Sequence, residues 1–324
     1  MNGHDLFLST SSQPSPVVRK ARLPRFGRVA NPPPMVLTER DREILKQVYL
    51  FRLMTREQVE RLLFPPDQGQ DHLTKTSRCR RRLRLLYQHG YLERFPTLTG
   101  PGLWAWKPVY RLTAKGAEVV AQDLGVTVGK LPYWGRGFDK DHRPTSVSSL
   151  FLEHALKVND VRIAITLSAQ VHRYQVEKWL DETQLKSQEM RDYVIVTGGQ
   201  GRSLKVAVIP DAYFVLHLGD RRAHFFLELD QATMSNKRWK TRVLAYRAYT
   251  ESGKYQQRYQ TRSLRVLTVT TTPERLANLK KTTEAAGGDR LFWFTTFERA
   301  TAEDPLFSPI WEIAGQPSAT SLIS

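Results

Sequence analysis

The stretch VIPDAYFVLHLGDRRAHFFLELD, at residues 208–230, constrains the fold of this 324-residue chain more than any other feature. Two runs of β-branched and aromatic residues flank a Gly-Asp turn, which is the pattern of two strands that pair as a hairpin. Three acids lie within these runs, at Asp211, Glu228 and Asp230. Carboxylates in an apolar sheet are costly unless they are paired or bind a cation. The stretch therefore predicts a sheet and a site at which the charge of these acids is balanced.

Length, cysteine content and hydropathy limit the class of protein. A chain of this length with 40% hydrophobic residues can bury more than one core, so we expect two domains. Its one cysteine, Cys79, excludes an intramolecular disulfide and a zinc site built from several thiolates. The sequence has no run of roughly 18 apolar residues and no apolar core of a secretion signal. We therefore expect a cytoplasmic protein with no membrane partner.

The net charge of +17 is concentrated in the N-terminal part of the chain. Residues 1–130 contain 22 Lys and Arg against 11 Asp and Glu, whereas residues 131–324 contain 27 against 21. A basic pole of this kind attracts polyanions, of which nucleic acid is the usual one. We expect double-stranded DNA as the partner, with a basic surface that only promotes solubility as the alternative.

Composition and periodicity divide the chain into five segments. Residues 1–36 are rich in Ser, Pro and basic residues and are predicted to be a disordered basic arm. Residues 37–130 carry three helical segments, two strand-like runs and a further helix, which is the order of a winged helix-turn-helix domain. Residues 131–145 are predicted to be a linker, residues 146–314 an α/β domain, and residues 315–324 a flexible tail. We therefore predict the fold class α+β and α/β, with an N-terminal winged helix-turn-helix domain followed by an α/β domain that has a mixed sheet.

The α/β domain is predicted in more detail from its apolar spacing. Its first helix is expected at residues 146–169, and a later helix begins at Pro273, which is suited to a first helical turn. The remaining elements are strands at 171–179, 204–216, 223–229, 264–270 and 290–296, and a helix at 236–250.

A helix at residues 74–89 carries the sharpest signal for nucleic acid. At about 100° per residue, Cys79, Leu83 and Leu86 fall on one side, which is the core side. Five arginines lie within residues 78–84 with no compensating acid in the helix. Guanidinium groups on an exposed face can contact phosphates or guanine edges, although a solvated charged face is the alternative. The predicted DNA contacts are Ser77, Arg78, Arg80, Arg81, Arg84 and Gln88, with Lys107 in the wing.

Several motifs, taken in order, resemble one family. LTERDREILKQVYLFRLMTREQVERLLF, YRLTAKG, VIPDAYFVL and FFLELDQAT, with a Lys/Tyr-containing helix after them, are similar to the replication-relaxation proteins of plasmids and other mobile elements. The resemblance covers about residues 37–249. It implies a winged-helix DNA-binding domain and a role in plasmid replication or mobilisation, alongside replication, mobilisation or transposition proteins of the same element.

The second half separately resembles the PD-(D/E)XK nuclease fold. Pro210 and Asp211 match its PD on one strand, and residues 228–230 match its (D/E)XK on the next, except that Asp230 stands where a lysine is expected. The resemblance implies a lysine from the following helix, for which Lys240 is our candidate, and an acid on the first helix, which Glu153 matches.

Such a site would bind a hard divalent cation. Mg²⁺, for which Mn²⁺ can substitute, takes carboxylate oxygens and activates water for attack on a phosphodiester. Asp211 and Glu228 would be the ligands, and Asp230, which faces the same side because it lies two residues after Glu228 on a strand, could add a third carboxylate. Alternatively, the acids are structural, and Glu228 and Asp230 pair with Arg221 or Arg238.

Three functions therefore stay open. The chain is either a DNA-binding accessory of a mobile element whose second domain is a docking scaffold, or a Mg²⁺-dependent endonuclease or nickase. A transcriptional regulator that senses a small ligand in its second domain is the third hypothesis.

Overall fold

Short helices with capped first turns build the N-terminal unit. The computed structural model describes residues 27–64, 72–97, 107–131, 149–197 and 203–323. Thr38 caps the first helix together with Asp41, and Thr55 caps the second together with Gln58, in reciprocal capping boxes. The elements are α1 (Glu39–Phe51), β1 (Met54–Thr55), α2 (Arg56–Leu63), α3 (His72–Gln88), β2 (Leu92–Thr97), β3 (Lys107–Leu112) and α4 (Ala114–Asp123).

These helices pack on a small antiparallel sheet with the strand order β1-β3-β2. The core is formed by the apolar stripes of the helices, with Ile44 of α1 and Leu83 of α3 fully buried. Cys79 is buried in this core, as predicted, and is a free thiol. The apolar spacing thus sets which side of each helix faces inward.

The second unit is built on a long mixed sheet. The elements are α5 (Ser149–Val171), β4 (Gln175–Asp181), α6 (Glu182–Leu185), β5 (Asp192–Thr197), β6 (Ser203–Val208), β7 (Ala212–Leu218), β8 (Arg221–Asp230), α7 (Asn236–Glu251), α8 (Lys254–Tyr259), β9 (Arg265–Thr270), α9 (Pro273–Ala285), β10 (Phe292–Thr296), α10 (Phe297–Ala302), β11 (Trp311–Ile313) and β12 (Ala319–Thr320). The mixed α/β class predicted from the sequence is confirmed.

The seven strands of this sheet lie in the order β12-β11-β10-β9-β8-β7-β4. β8, β9 and β10 are parallel to one another, and the other neighbours are antiparallel. Helices α5 and α10 cover one face, while α7 and α9 cover the other. The predicted hairpin is present as β7 and β8, in which Phe214 pairs with Phe225 across the two strands.

The predicted strand at residues 204–216 is divided in the structure. β6 pairs with β5 in a separate two-stranded sheet, and only β7 joins the main sheet. Pro210 lies between them and has no backbone N–H to donate to a ladder, which explains the break. The strand predicted at residues 171–179 likewise begins later, because α5 continues to Val171.

Helix α5 contributes to both cores. Ile163 packs in the N-terminal core, whereas Val161 and Ile165 pack under the main sheet. Asn159 donates to the carbonyls of Phe51 (3.2 Å) and Leu53 (2.7 Å) at the end of α1. The two units therefore share a helix whose apolar residues point in two directions.

Both ends of the described chain correct the sequence prediction. The guanidinium of Arg28 donates to the carbonyls of Tyr87 and Leu92, so residues 27–36 are not a free arm. Residues 1–26 of the predicted arm lie outside the described residues. The predicted flexible tail was wrong, because β12 pairs with β11 and Leu322 is buried.

The predicted linker is only partly described. Leu131, its first residue, is buried in the N-terminal core, and residues 132–148 lie outside the described part of the chain. Among the helices that the structure describes, none has the length and apolar character of a membrane span.

Candidate functional site

Helix α3 presents a basic face on the side opposite its core stripe. Ser77, Arg80, Arg81 and Arg84 are exposed, and Arg78 is half-buried. Cys79, Leu83 and Leu86 on the other side are fully buried. Among the described residues, no acid forms an ion pair with Arg80, Arg81 or Arg84. Three guanidinium groups therefore point to solvent from one rigid helix.

The fifth arginine of this helix has a structural role. Arg82 donates from Nε to Asp41 Oδ1 (2.7 Å) and from Nη2 to Asp41 Oδ2. Asp41 is completely buried and also accepts from the backbone N–H of Thr38 (2.8 Å) and its hydroxyl (2.7 Å). The compensating acid that α3 lacks is thus supplied by α1, and the pair fixes α3 against α1.

Gln88 does not belong to the exposed face. Its amide donates to the Gly27 carbonyl (3.0 Å) and accepts from the Val29 N–H (2.9 Å), and the side chain is buried. The prediction of a DNA contact at Gln88 was therefore wrong, because the segment before α1 covers the end of α3. The backbone of Lys107 pairs with Thr97, while its side chain and the residues between β2 and β3 lie outside the described part of the chain.

The acids of the central hairpin form a second cluster at one end of the main sheet. The N–H of Asp211, just before β7, donates to the carbonyl of Leu227 (2.9 Å), next to Glu228 on β8. Asp211 Oδ2 accepts from the N–H of Leu229 (2.7 Å). Both carboxylates are buried. The structure therefore brings together two of the three acids that were predicted to bind a metal ion.

Asp211 is paired with a histidine from α5. His154 Nε2 lies 3.1 Å from Asp211 Oδ1, and its Nδ1 lies 3.3 Å from Gln231 Oε1. Burial would raise the pKa of Asp211, but the hydrogen bond and charge of His154 outweigh it and lower that pKa below its ordinary value. Burial would lower the pKa of His154, and Asp211 raises it overall. The geometry thus favours a carboxylate–imidazolium pair.

Glu228 is held by two groups from α7. Tyr246 donates its hydroxyl to Glu228 Oε1, and Arg242 Nη1 lies 3.1 Å from Glu228 Oε2. Burial raises the pKa of Glu228, whereas the charge of Arg242 acts in the opposite direction and favours the ionised form. Arg242 also donates to the carbonyl of Ile209 (2.7 Å). It therefore connects α7 with two neighbouring parts of the sheet edge.

Asp230 has a third, separate set of partners. Its carboxylate accepts from Nε (2.8 Å) and Nη2 (3.0 Å) of Arg275, on α9, and from the hydroxyl of Thr270 (2.8 Å). The N–H of Ala232 adds a bond of 3.2 Å. Glu228 is thus paired with Arg242, and Asp230 is paired with Arg275.

The remaining predicted site residues lie away from these acids. Lys240 is exposed. Arg242 lies two positions after it, so the two side chains point about 200° apart around α7. Glu153 is exposed and pairs with Lys157 on the surface of α5 (2.8 Å). The cationic group that α7 brings to the acids is therefore an arginine, and α5 brings the neighbouring His154.

Mg²⁺ or Mn²⁺ would need carboxylate oxygens that are available for coordination. Here each predicted ligand already has a basic partner, and Asp211 and Glu228 have additional donors. Within the described ranges, no group of three or more His, Cys, Asp or Glu side chains is arranged to hold a metal ion. The donor set in this arrangement does not fit a divalent cation.

Sequence reasoning missed Arg242, Arg275 and Tyr246. A signal for Arg242 was present, because it lies three residues after Trp239 and four before Tyr246, on the apolar side of α7. Arg275 gave no comparable signal, since α9 is distant from Asp230 in the sequence.

No curated protein sequence matches this chain. A structural similarity is found to the restriction endonuclease FokI bound to DNA, at 11% sequence identity and a TM-score of 0.25. That match covers 81% of this chain and 43% of the other, so the chain spans less than half of that protein. The sequence profile of the replication-relaxation family matches residues 45–264, which is more than half of the chain. The protein is therefore a member of the replication-relaxation family.

Proposed function

We propose that this protein binds duplex DNA through its N-terminal unit and acts in the replication or mobilisation of a plasmid or other mobile element. The observation that carries the proposal is the exposed basic face of α3, where Arg80, Arg81 and Arg84 point to solvent without an acidic partner among the described residues. Three like charges on one helix repel one another in the free protein. A polyanion relieves this repulsion and gains three charge-assisted contacts.

The arrangement of the N-terminal unit supports a winged helix-turn-helix. Two capped helices precede α3, and the antiparallel strands β2 and β3 follow it. In such domains the helix in the position of α3 lies in the major groove, and the strands contact the backbone beside it. The ion pair between Arg82 and Asp41 fixes the inner side of α3, so that its outer side is presented rigidly.

The α/β unit is proposed to be a scaffold that positions the DNA-binding unit and docks replication, mobilisation or transposition proteins of the same element. Helix α5 joins its sheet to the N-terminal core, and Arg52 of the N-terminal unit pairs with Asp181 at the end of β4. These contacts favour one fixed orientation of the two units.

A Mg²⁺-dependent nuclease is a second candidate, favoured by the position of Asp211, just before β7, beside the part of β8 that carries Glu228. It requires both carboxylates to exchange their present partners for a metal ion. It would nick or cut plasmid DNA only with Mg²⁺ or Mn²⁺, and Asp211→Ala or Glu228→Ala would remove that activity. If no cleavage occurs with either metal, this candidate is rejected.

The test of DNA binding is the salt dependence of affinity. Each phosphate contact contributes about 0.9 to the slope of log K against log salt concentration. Fluorescence anisotropy with a labelled duplex should show weaker binding by Arg81→Ala/Arg84→Ala and a slope that is smaller by up to about 1.8. Arg221→Ala/Arg290→Ala, which removes two exposed arginines from the α/β unit, is the charge-matched control. Equal effects in both double variants, or an unchanged slope in the first, would refute the role of α3.

A further inference from the structure

The three acids at the end of the main sheet each receive a basic side chain from a different helix. His154 of α5 lies beside Asp211, Arg242 of α7 beside Glu228, and Arg275 of α9 beside Asp230. All three acids are buried, and a buried carboxylate without compensation costs several kcal/mol. The positive charge that these acids need is therefore supplied by the protein itself.

Arg242 contacts both of the elements that a bridging metal ion would have to connect. It is an ion-pair partner of Glu228 on β8, and its Nη2 donates to the carbonyl of Ile209, two residues before Asp211. Its side chain is largely buried, and Tyr246 from the same helix bonds the other oxygen of Glu228. One guanidinium thus joins the two strand ends that carry the predicted metal ligands.

We propose that Arg242 replaces a divalent metal ion at this site, so that Asp211 and Glu228 belong to a metal-independent ion-pair network that fastens α5 and α7 to the sheet. Asp230 extends the same network to α9 through Arg275. The aspartate in the expected lysine position fits this arrangement, because a lysine there would leave Arg275 without its carboxylate.

The network has a consequence for the protein on DNA, and this consequence alone rests on the proposed DNA binding. A site whose charge is supplied by arginine needs no Mg²⁺ to keep its shape, and it presents no metal-bound water to a phosphodiester. The α/β unit then holds the DNA-binding unit in place without cutting the DNA, and DNA affinity does not depend on divalent cations beyond their effect on ionic strength.

The test measures Mn²⁺ binding by the full chain, with electron paramagnetic resonance of free Mn²⁺ and with thermal unfolding. The wild type should have no Mn²⁺ site that is lost in Asp211→Asn or Glu228→Gln. The Tm of the wild type should not rise when Mn²⁺ is added. Arg242→Gln leaves the buried Glu228 carboxylate without its cationic partner, so the Tm of this variant should fall by several degrees and recover in part when Mn²⁺ is added. The double variant Asp211→Asn/Arg242→Gln should lose this recovery.

Two further variants keep the result interpretable. Arg238→Gln removes an exposed arginine from the same helix and should change neither Tm nor Mn²⁺ binding. Arg242→Lys retains the charge and should stay folded without gaining Mn²⁺ affinity. If Arg242→Gln does not fold, the proposal is tested by comparing Mn²⁺ binding by the wild type with Mn²⁺ binding by Asp211→Asn.

Two results would overturn the proposal. The first is a Mn²⁺ ion in the wild type that depends on Asp211 and Glu228. The second is a folded Arg242→Gln variant whose stability is unaffected by the substitution or by Mn²⁺. DNA affinity measured in Mg²⁺ and in EDTA at equal ionic strength should be the same. A protein that binds no DNA in either buffer would contradict the proposed function while leaving the Mn²⁺ result valid.

Discussion

Replacement of Arg82 by methionine should destabilise the protein far more than replacement of its neighbours on α3. Asp41 is completely buried, whereas only 14% of the Arg82 side chain is exposed. Without the guanidinium, the carboxylate keeps its two donors from Thr38 but loses both charge-assisted bonds. The variant therefore leaves a buried charge without a counter-ion.

The expected cost follows from the behaviour of buried ion pairs. Removal of one partner typically costs about 3–5 kcal/mol, because the other charge stays desolvated. The donors from Thr38 remain in place here, so we expect the lower end, about 3 kcal/mol. That is a large part of the roughly 5–15 kcal/mol by which folded domains are stable.

Urea unfolding followed by far-UV circular dichroism would measure this loss as a lower midpoint for Arg82→Met. Arg84→Met is the matched control, since it removes an exposed arginine two positions later and should leave the midpoint close to that of the wild type. The control should instead weaken DNA binding. Stability and affinity are therefore expected to separate between two arginines of the same helix.

A double-mutant cycle with Asp41→Asn tests the physical reason. Asparagine carries no charge, so Asp41→Asn should cost much less in the Arg82→Met background than in the wild type. Equal costs in the two backgrounds would show that the pair is not coupled. A midpoint for Arg82→Met that matches that of Arg84→Met would refute the assigned role of Arg82 directly.

Three other outcomes follow from contacts outside α3. Asn159→Ala should cost about 1–3 kcal/mol in urea unfolding, because it removes both donors to the buried turn at Phe51 and Leu53. Arg28→Ala should speed hydrogen exchange in the segment before α1, measured by mass spectrometry, while the main sheet stays protected. Burial would raise the pKa of Asp304, but hydrogen bonds from the Ser168 hydroxyl, the His172 imidazole and two backbone N–H groups lower that pKa below its ordinary value. A group with a lowered folded pKa stabilises the protein above its unfolded pKa, and this stabilisation is lost as the pH falls through the folded pKa. The stability difference between wild type and Asp304→Asn should therefore shrink on acidification, and a constant difference would contradict this.

The sequence determines local structure where the partners of a group lie within one or two turns. Thr38, Thr55 and Thr113 cap their helices because each hydroxyl accepts from an N–H three residues later. The hairpin at β7 and β8 was also predictable, since its strands are joined by a two-residue turn. Strands β11 and β12 were missed, because they are short and gain their stability only from the edge of a sheet formed earlier in the chain.

The sequence by itself determined the family, the mixed-sheet class, the inward side of α3 and the placement of Asp211 and Glu228 on the two parts of one hairpin. All of these follow from periodicity, turn chemistry or ordered motifs. Only the tertiary structure decided which cations accompany the acids: Arg82 for Asp41, Arg242 for Glu228 and Arg275 for Asp230. The chain has 49 lysines and arginines, and the sequence alone does not distinguish which of them accompanies a given acid. Their burial and geometry differ, however, and these depend on how helices distant in the chain pack against the sheet.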